Sequence, residues 1–404
     1  MSKYAILPFL NKRIEEFTYI NKTEGHYLYT EKHGKLLDYT HSIAFTLGYS
    51  NKEIIDSIYD ELISVSRCQT ARAQTTDSIE EVSSWICESG GWDGIAWSVT
   101  GTGAVECAIS MNDSYWQALG KFEKKKIISF SGTWHGTSYL TKSMGIRNYQ
   151  YWNSERSIFI KGPAWRYLNE REKEESRVIS DLLEQVEKES RYIGAIVFDP
   201  VPWFQTAPFS ENFWKKIRSI CNEYDILMII DDVSAGFGKM GTIHTHKAHG
   251  CGVQPDISCL GKGITAGHAP LGATVCTKKV KNVIKDRFSY GHTYCPYMGG
   301  IGALKAVKRI YERDKILDNV PKINGWLNEM GNRFLKNGLI LSYRTAGVMM
   351  SMDLTENFQA KNQHKFGLSG KLAEIPNLYL CAPLIADEAY MEEITSKFTD
   401  IFSK

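Results

Sequence analysis

The chain has 404 residues, with 48 Lys or Arg against 46 Asp or Glu, which gives a formal net charge of +2 at pH 7. A composition of 43% hydrophobic, 23% charged and 12% aromatic residues is that of a globular protein and excludes an intrinsically disordered chain. Because acids and bases are interspersed in charged stretches such as 169–177, a basic groove for nucleic acid is not indicated.

The sequence also indicates the compartment. The longest uninterrupted aliphatic run is 226–230, whereas a membrane-spanning helix needs about twenty apolar residues. The N-terminus has neither the long apolar segment nor the small-residue cleavage site of a secretory signal peptide. Nine cysteines without a C-x-x-C pair argue against a disulfide framework or a zinc ribbon. We therefore expect a soluble protein of the cytoplasm.

Short apolar strands alternate with amphipathic helices along the chain. An alternating apolar pattern around Gly34 predicts a hairpin, and helices are expected from about Asn51. Further strands are predicted at 95–99, 126–130, 195–198, 226–230 and 257–260, and helices at 104–119, 180–190, 211–224 and 301–313. This order predicts an α/β fold with a mainly parallel sheet and helices on both faces. Past about Gly299 the pattern changes to a long helix and a mixed α+β tail, so we place a domain boundary there.

In such a sheet, ligands bind at the carboxyl ends of the strands, so residues that follow strands are the functional candidates. The first candidate segment is Ser98–Glu106, where a strand ends in small hydroxyl and glycine residues and continues into a helix. The backbone N–H groups of Thr100, Gly101 and Thr102 would form an anion cradle at the positive end of the helix dipole. A dinucleotide fingerprint is disfavoured because Glu106 stands at its third glycine position; a tight turn that only caps the helix remains an alternative.

The second candidate segment is Trp134-His135-Gly136, which follows the strand 126–130 after a short turn. An indole at a strand end can stack on a flat heteroaromatic ring, and Gly136 lets the backbone pass close to that ring. A Trp-His pair is more often core packing than part of a site. We include Trp134 and His135 among the candidate cofactor-binding residues.

The third candidate segment brings two acids, Asp231 and Asp232, to the end of the apolar strand 226–230. Adjacent strand residues point to opposite faces, so one carboxylate can face a ligand nitrogen while the other faces the scaffold. Burial of an acid is costly unless it is paired, which favours a cationic partner. A divalent-metal site is the weaker alternative. Its candidate ligands would be His244, His246 and His249.

The fourth candidate is Lys262, which follows the short strand 257–260 and is flanked by Gly261 and Gly263. The glycines free the backbone so that the amine can be directed inward, and burial would lower its pKa towards the neutral amine that attacks carbonyls. A solvated surface lysine is the ordinary alternative. A Walker loop is excluded because Gly263 occupies the position of the Ser or Thr that holds magnesium.

Together the four segments supply a phosphate cradle, a stacking aromatic, a carboxylate for a ring nitrogen and an activated lysine. This combination matches pyridoxal 5′-phosphate, whose protein partners are a Schiff-base lysine and an acid that keeps the pyridine nitrogen protonated. Lys262 would then carry the proton transfer between the substrate carbon and the cofactor.

The chain resembles the class III, or ω-aminotransferase, family of fold-type I pyridoxal phosphate enzymes over nearly its whole length. The resemblance is carried by the hairpin 25–38, by Asp231-Asp-Val with Gly236-Phe-Gly-Lys-Met-Gly (family D-E-V/I-x-x-G-x-G-R-x-G), by 255–262 with 270–272, and by Gly291-His-Thr-Tyr294. It implies a homodimer with active sites at the subunit interface. It also implies a large domain with a mainly parallel seven-stranded sheet (51–298) and a smaller α+β domain formed by both termini (1–50 and 299–404).

Residue by residue, the resemblance makes Lys262 the Schiff-base lysine and Asp231 the partner of the pyridine nitrogen. The other cofactor-binding residues that it implies are Thr100, Gly101 and Thr102 on the phosphate, Trp134 over the ring, Val233 on the opposite face, and Thr293 on the phosphate of the neighbouring subunit. It implies no metal. The expected reaction moves an amino group from an amine or amino-acid donor to a ketone or aldehyde by a ping-pong mechanism.

Departures from the family pattern bear on the substrate. Asp199-Pro200 stands where a Glu-Pro pair is expected, and 202–205 replaces a glutamine-glycine run. The stretch 370–376 has no arginine where the family commonly carries one for a substrate carboxylate, and Arg344 matches a structural segment more than a clamp. We therefore expect aminotransferase chemistry in a biosynthetic pathway, with donor and acceptor open.

Within the family, 100–120 and 217–221 are most similar to the biotin-pathway enzymes, and a specialised-metabolite pathway is at least as well supported. An aminomutase of the same family would use the same lysine and cofactor without a separate acceptor. A non-catalytic cofactor-binding protein would not need Lys262, and an NAD-dependent oxidoreductase would need the missing third glycine.

Overall fold

The computed structural model describes residues 19–40, 43–145, 155–163, 168–202, 206, 208–248, 252–354 and 377–402. Strands in these ranges are β1 (Ile20–Glu24), β2 (Tyr27–Thr30), β3 (Gly34–Leu37), β4 (Gly94–Ser98), β5 (Lys126–Phe130), β6 (Ser157–Ile160), β7 (Ile193–Phe198), β8 (Leu227–Asp231), β9 (Ile257–Leu260), β10 (Gly272–Cys276), β11 (Ser342–Ala346), β12 (Met349–Asp353) and β13 (Asn377–Cys381). Helices are α1 (Lys52–Ser64), α2 (Asp77–Gly90), α3 (Gly101–Ala118), α4 (Tyr139–Lys142), α5 (Arg171–Glu189), α6 (Glu211–Glu223), α7 (Thr245–Ala248), α8 (Lys278–Ile284), α9 (Met298–Asp314), α10 (Val320–Lys336) and α11 (Glu388–Phe402).

A seven-stranded sheet with the order β4-β10-β9-β8-β7-β5-β6 forms the centre of the fold. Strands β5 to β9 pair in parallel, whereas β10 is antiparallel to both of its neighbours, β9 and β4. This arrangement confirms the predicted α/β class with a mainly parallel sheet. The sequence pattern did not predict β6 and β10, which contain serine, or glycine and threonine, rather than an uninterrupted aliphatic run. The predicted start of α5 at residue 180 was wrong; the helix begins at Arg171 in a highly charged stretch.

Helices cover both faces of the sheet, and the faces alternate along β8. Met228 and Ile230 pack in the core beneath α5 and α6, whereas Leu227 and Ile229 pack beneath α3 and α8. Because both faces are covered, the strand is completely buried and is apolar from Leu227 to Ile230. The alternation assigns Asp231, the last residue of β8, to the face that carries α3.

Two antiparallel sheets, β1-β2-β3 and β11-β12-β13, lie outside the central sheet. Backbone hydrogen bonds join the N-terminal part to the C-terminal part: Cys381 N donates to Tyr39 O at 2.9 Å, and Leu384 N donates to Thr46 O at 2.8 Å. Arg344 of β11 is buried, and its Nη1 and Nη2 contact the carboxylate oxygens of Asp353 in β12 at 2.6 and 3.2 Å. This pair commits Arg344 to the scaffold.

No helix in the described part of the chain combines the length and apolar character that crossing a membrane requires.

Two buried histidines lie beside α2. His244 Nε2 donates to Ile86 O at 2.8 Å, and His244 Nδ1 accepts from Trp92 Nε1 at 3.3 Å. His246 Nε2 donates to Gly90 O at 3.1 Å. Burial lowers the pKa of His244 to about 3 and that of His246 to about 4. Both rings are therefore neutral packing groups at neutral pH, engaged with backbone carbonyls; His249 lies outside the described residues.

We expect the free energy of unfolding to fall as the pH drops below about 6.5, because the unfolded chain protonates these histidines while the folded chain does not. Replacing His244 with Gln should reduce the loss between about pH 7.5 and about pH 5 by roughly 2 kcal/mol. Denaturant unfolding at the two pH values measures the difference. The exposed His33→Gln serves as the control, and equal losses in the wild type and His244→Gln would contradict the assignment.

Candidate active site

The residues that follow β7, β8 and β9 meet at the carboxyl edge of the sheet. The parallel register pairs Phe198 with Ile230, which sets Asp199 beside Asp231. Asp231 in turn pairs with Cys259, three residues before Lys262. We call Asp199, Asp231 and Lys262 the strand-end site.

Asp231 is bound from two sides. Its Oδ2 lies 2.7 Å from His135 Nδ1, and its Oδ1 accepts a hydrogen bond from Val233 N at 3.2 Å. Asp231 is only 4% exposed and His135 only 2%. A buried carboxylate in this position therefore has the hydrogen-bond donors that it needs.

Hydrogen bonds on both sides fix the ring of His135. The hydroxyl of Thr133 donates to Phe130 O at 2.7 Å, so its oxygen is left to accept from His135 Nε2 at 2.9 Å. The other ring nitrogen, Nδ1, faces Asp231 Oδ2. The side chain that meets the buried acid is therefore His135.

Asp232 faces away from this pair. Thr245 donates to it twice, from its backbone N to Oδ2 at 2.8 Å and from its hydroxyl to Oδ1. Burial raises the pKa of Asp232 to about 7. The two adjacent acids are thus divided as the alternation predicted, with Asp231 towards the α3 face and Asp232 towards the scaffold.

Lys262 is partly buried, and its Nζ donates to Ser234 Oγ at 2.5 Å. Burial lowers the pKa of its amine, an effect that the nearby Asp231 and Asp199 oppose. The lysine itself has a positive φ of 44°, a conformation that costs energy for a residue with a side chain. The neutral amine is the form that attacks a carbonyl carbon, so lowering the pKa favours reactivity.

The glycines beside Lys262 serve close packing rather than the backbone freedom that the sequence suggested. A Cβ at Gly261 would lie 3.0 Å from Val233 Cγ1 and 3.1 Å from Gly101 Cα. A Cβ at Gly263 would lie 3.0 Å from the Cβ of Phe237. We call Gly261–Gly263 the lysine turn. This turn therefore packs against the segment that follows β8 and against the start of α3.

The predicted anion cradle lies at the N-terminus of α3. Thr100 is the N-cap residue, and its hydroxyl accepts from Gly103 N at 2.9 Å. A Cβ at Gly101 would lie 2.6 Å from Val233 Cγ1, so only glycine fits between the cradle and that valine. Gly136 has a φ of 127°, and a Cβ there would lie 2.6 Å from Thr102 Oγ1. The helix N-terminus therefore meets the loop of His135 on one side and Val233 on the other.

The two remaining predicted cofactor-binding residues, Trp134 and Thr293, differ in their exposure to solvent. Trp134 is half-buried and precedes His135 in the same loop. Thr293 is exposed, and its carbonyl accepts from Gln69 Nε2 at 2.8 Å. In the described contacts, the structure brings together Asp231, His135, Val233, Lys262 and the Thr100–Thr102 turn, whereas Thr293 belongs to the surface.

Sequence reasoning missed three residues. Asp199 is buried, accepts from Val201 N at 3.1 Å, and has its pKa raised well above the usual range by burial and by Asp231. The strand-end rule that found Asp231 also applies to Asp199, which sequence reasoning considered only as a family departure. Ser234 could have been found from its position two residues after the acid pair Asp231-Asp232.

Two segments in which the sequence departs from the family, 203–205 and 370–376, lie outside the described residues.

The third missed residue is Lys239, a completely buried lysine whose amine has no hydrogen-bond acceptor among the described residues. A Cβ at Gly263 would lie 3.1 Å from its Nζ, so the amine lies beneath the lysine turn. Burial lowers its pKa to about 8. The signal that could have found it is its place in the family block, where Lys239 stands at the arginine position after Gly236-Phe-Gly.

The described groups fit pyridoxal 5′-phosphate. A buried acid fixed by His135 suits a protonated ring nitrogen, a lysine amine with a lowered pKa suits covalent attachment, and a helix N-terminus without side-chain bulk suits a phosphate. No group of three or more His, Cys, Asp or Glu in the described ranges is arranged to hold a metal ion.

The family model for class-III aminotransferases matches residues 10–402. The chain belongs to the class-III aminotransferases. Enzymes of this class use pyridoxal 5′-phosphate, so the predicted family, enzyme class and cofactor are confirmed.

Relatives and solved structures agree with this assignment. The aminotransferase is 28% identical to adenosylmethionine-8-amino-7-oxononanoate aminotransferase of Staphylococcus aureus over 385 residues, 89% of this chain and 84% of that protein. The enzyme of the same name from Aquifex aeolicus is also 28% identical over 388 residues, 90% of this chain and 84% of that protein. An amine transaminase from an uncultivated Pseudomonas species, solved in its PLP-bound form, superposes with a TM-score of 0.89 at 22% identity, covering 100% of this chain and 99% of that one. The predicted fold is confirmed.

We expect Gly101→Ala to destabilise the aminotransferase by about 1–3 kcal/mol, because its Cβ meets Val233 at 2.6 Å. Val233→Ala should lower the free energy of unfolding less in the Gly101→Ala background than in the wild type, since it removes the clash. Denaturant unfolding of the four proteins measures this coupling.

Gly325→Ala is the matched control, because a Cβ at that position in α10 has nothing within 4 Å. Strictly additive costs for Gly101→Ala and Val233→Ala would contradict the close packing between the cradle and Val233.

Proposed function

We propose that the aminotransferase moves an amino group from an amine or amino-acid donor to a ketone or aldehyde acceptor in two half-reactions at one site. The observation that carries the proposal is the Lys262 amine placed beside the His135-held carboxylate of Asp231 at the edge of the sheet. When bound, pyridoxal 5′-phosphate supplies an electron sink for the charge that develops on the substrate carbon.

Each residue has a distinct task in this proposal. Asp231 would face the pyridine nitrogen and favour its protonated form, with His135 holding the carboxylate in place. Lys262 would hold the cofactor covalently and, as a free amine, would move the proton of the substrate carbon, with Ser234 orienting that amine. The Thr100–Thr102 turn would bind the phosphate. Trp134 and Val233 would flank the two faces of the ring.

We propose that the active enzyme is a homodimer in which Thr293 reaches the phosphate of the neighbouring subunit. Support comes from an exposed apolar row on α1: Ile55, Tyr59 and Ile63 are 46%, 66% and 71% exposed and recur every four residues on one side of the helix. Tyr294, next to Thr293, is 65% exposed.

We call Ile55, Tyr59 and Ile63 the α1 row. The helix that carries this row ends near the start of α9, which follows residues 291–297. Glu61 pairs with Lys305 at 3.0 Å, and Glu53 pairs with Arg313 at 3.0 Å, so α1 and α9 run antiparallel. The carboxyl end of α1 therefore lies at the end of α9 that follows residues 291–297. The α1 row and the Thr293 region therefore lie towards the same end of α9.

The proposed setting is a biosynthetic pathway of the cytoplasm. Support for biotin synthesis comes from the relatives in Staphylococcus aureus and Aquifex aeolicus, and 28% identity leaves a specialised-metabolite pathway equally open. The described cysteines are all free thiols, as a reducing compartment requires. S-adenosylmethionine is the first donor to test.

Borohydride reduction of the cofactor-loaded protein should fix the pyridoxyl group on Lys262, because its amine is the reactive one in the strand-end site. Peptide mapping by mass spectrometry locates the label. Lys262→Ala should lose both the label and the amino transfer, while the exposed Lys278→Ala keeps both. A label on Lys239, or one that persists in Lys262→Ala, would overturn the assignment. Conversion of a single substrate into its amino isomer without any acceptor would favour an aminomutase instead.

A further inference from the structure

An acidic substrate needs a cation at the active site, and three cations of the same chain are committed elsewhere. Arg344 is buried against Asp353, and Lys239 is enclosed beneath the lysine turn. Lys262 is the reacting amine of the proposed function. A cation that binds a substrate carboxylate would therefore have to come from outside the strand-end site of the same subunit.

One turn at the surface contacts residues 291–295 at three points. Gln69 Nε2 donates to Thr293 O at 2.8 Å, Thr70 N donates to Cys295 O at 3.4 Å, and Ala71 Cβ lies 3.2 Å from where a Cβ of Gly291 would stand. We call residues 69–72 the Gln69 turn and residues 291–295 the Thr293 segment. The two run side by side and form one surface unit.

The Gln69 turn is held by internal hydrogen bonds. Gln69 is only 7% exposed, and its backbone N donates to Gln74 Oε1 at 3.0 Å while Gln74 N donates to Gln69 O at 3.2 Å. A short 3₁₀ helix, Thr70–Arg72, ends at Ala73 in the left-handed conformation with a φ of 56°. The direction in which the turn presents its last residue is thereby set.

That last residue is Arg72, which is exposed and, among the described residues, has no carboxylate within 4.0 Å. A guanidinium that has no carboxylate partner among the described residues of its own subunit is available to bind a ligand. Its fork of N–H donors binds a carboxylate through two parallel hydrogen bonds.

We propose that Arg72 enters the active site of the neighbouring subunit and binds the carboxylate of an acidic acceptor, a 2-oxo acid. This inference rests on the proposed function, because it is Thr293 at the neighbouring phosphate that brings the Gln69 turn to that site. The phosphate itself is served by the Thr100–Thr102 turn and Thr293, which leaves the guanidinium for the substrate. The substrate clamp is thus supplied in trans.

The test compares two acceptors of equal carbon count, pyruvate and propanal, on enzyme loaded with pyridoxamine 5′-phosphate. Arg72→Gln should raise the concentration needed for half-maximal single-turnover rate with pyruvate by about tenfold or more and leave that for propanal unchanged. Arg72→Lys should lie in between, because it keeps the charge and loses the fork. Arg191→Ala, an exposed arginine beyond α5, is the control of equal charge change.

A mixed dimer tests the action in trans. Co-expression of Arg72→Gln with Lys262→Ala, under two affinity tags, gives a dimer in which one site combines an intact Lys262 with an intact Arg72 from its neighbour. That site should regain the pyruvate response of the wild type. No recovery in the mixed dimer would overturn the inference, since it would place Arg72 in its own subunit's site.

Other outcomes separate the inference from the proposed function. A wild type that transfers amino groups only to propanal, or an Arg72→Gln variant weakened equally with both acceptors, overturns the inference and leaves the proposed function intact. Weaker cofactor binding in Arg72→Gln would assign the guanidinium to the phosphate and overturn it too. A wild type that is monomeric by light scattering, or inactive with every acceptor, would instead count against the proposed function.

Discussion

The hydrogen bond between Asp231 and His135 is the interaction on which the rest of the site depends. It lies at the end of β8, where the alternation along the strand turns one acid towards α3 and the next towards the scaffold. A buried carboxylate is costly without hydrogen-bond partners, and His135 Nδ1 and Val233 N meet the two oxygens of Asp231. Thr133 in turn holds the other nitrogen of the His135 ring.

Val233 gives the site its shape. It lies against Gly101 at the start of α3 and against Gly261 of the lysine turn, so these two parts of the site are held by one side chain two residues after Asp231. Lys262 with its positive φ lies in the same region, as does the Lys239 amine, which has no hydrogen-bond partner in the part of the chain that the structure describes. Strain and buried charge of this kind lower stability, and they concentrate where a protein holds reactive groups in position.

The sequence predicted the site through the rule that ligands bind at strand ends, and the rule found Thr100, Asp231 and Lys262 because each follows an apolar run. It assigned no role to Asp199 or Ser234, although both also follow strands. Lys239 stands at the arginine position of a family block, but its burial follows from packing that the sequence pattern does not contain. The family blocks added what periodicity does not contain, namely the seven-stranded sheet and the role of each residue toward the cofactor.

The most direct test of the account is a crystal structure of the protein loaded with pyridoxal 5′-phosphate. We expect continuous electron density between Lys262 Nζ and the cofactor, with the pyridine nitrogen at about 3 Å from an Asp231 carboxylate oxygen and the phosphate on the N-terminus of α3. A pyridine nitrogen that faces away from Asp231, or a covalent bond to any other lysine, would contradict it.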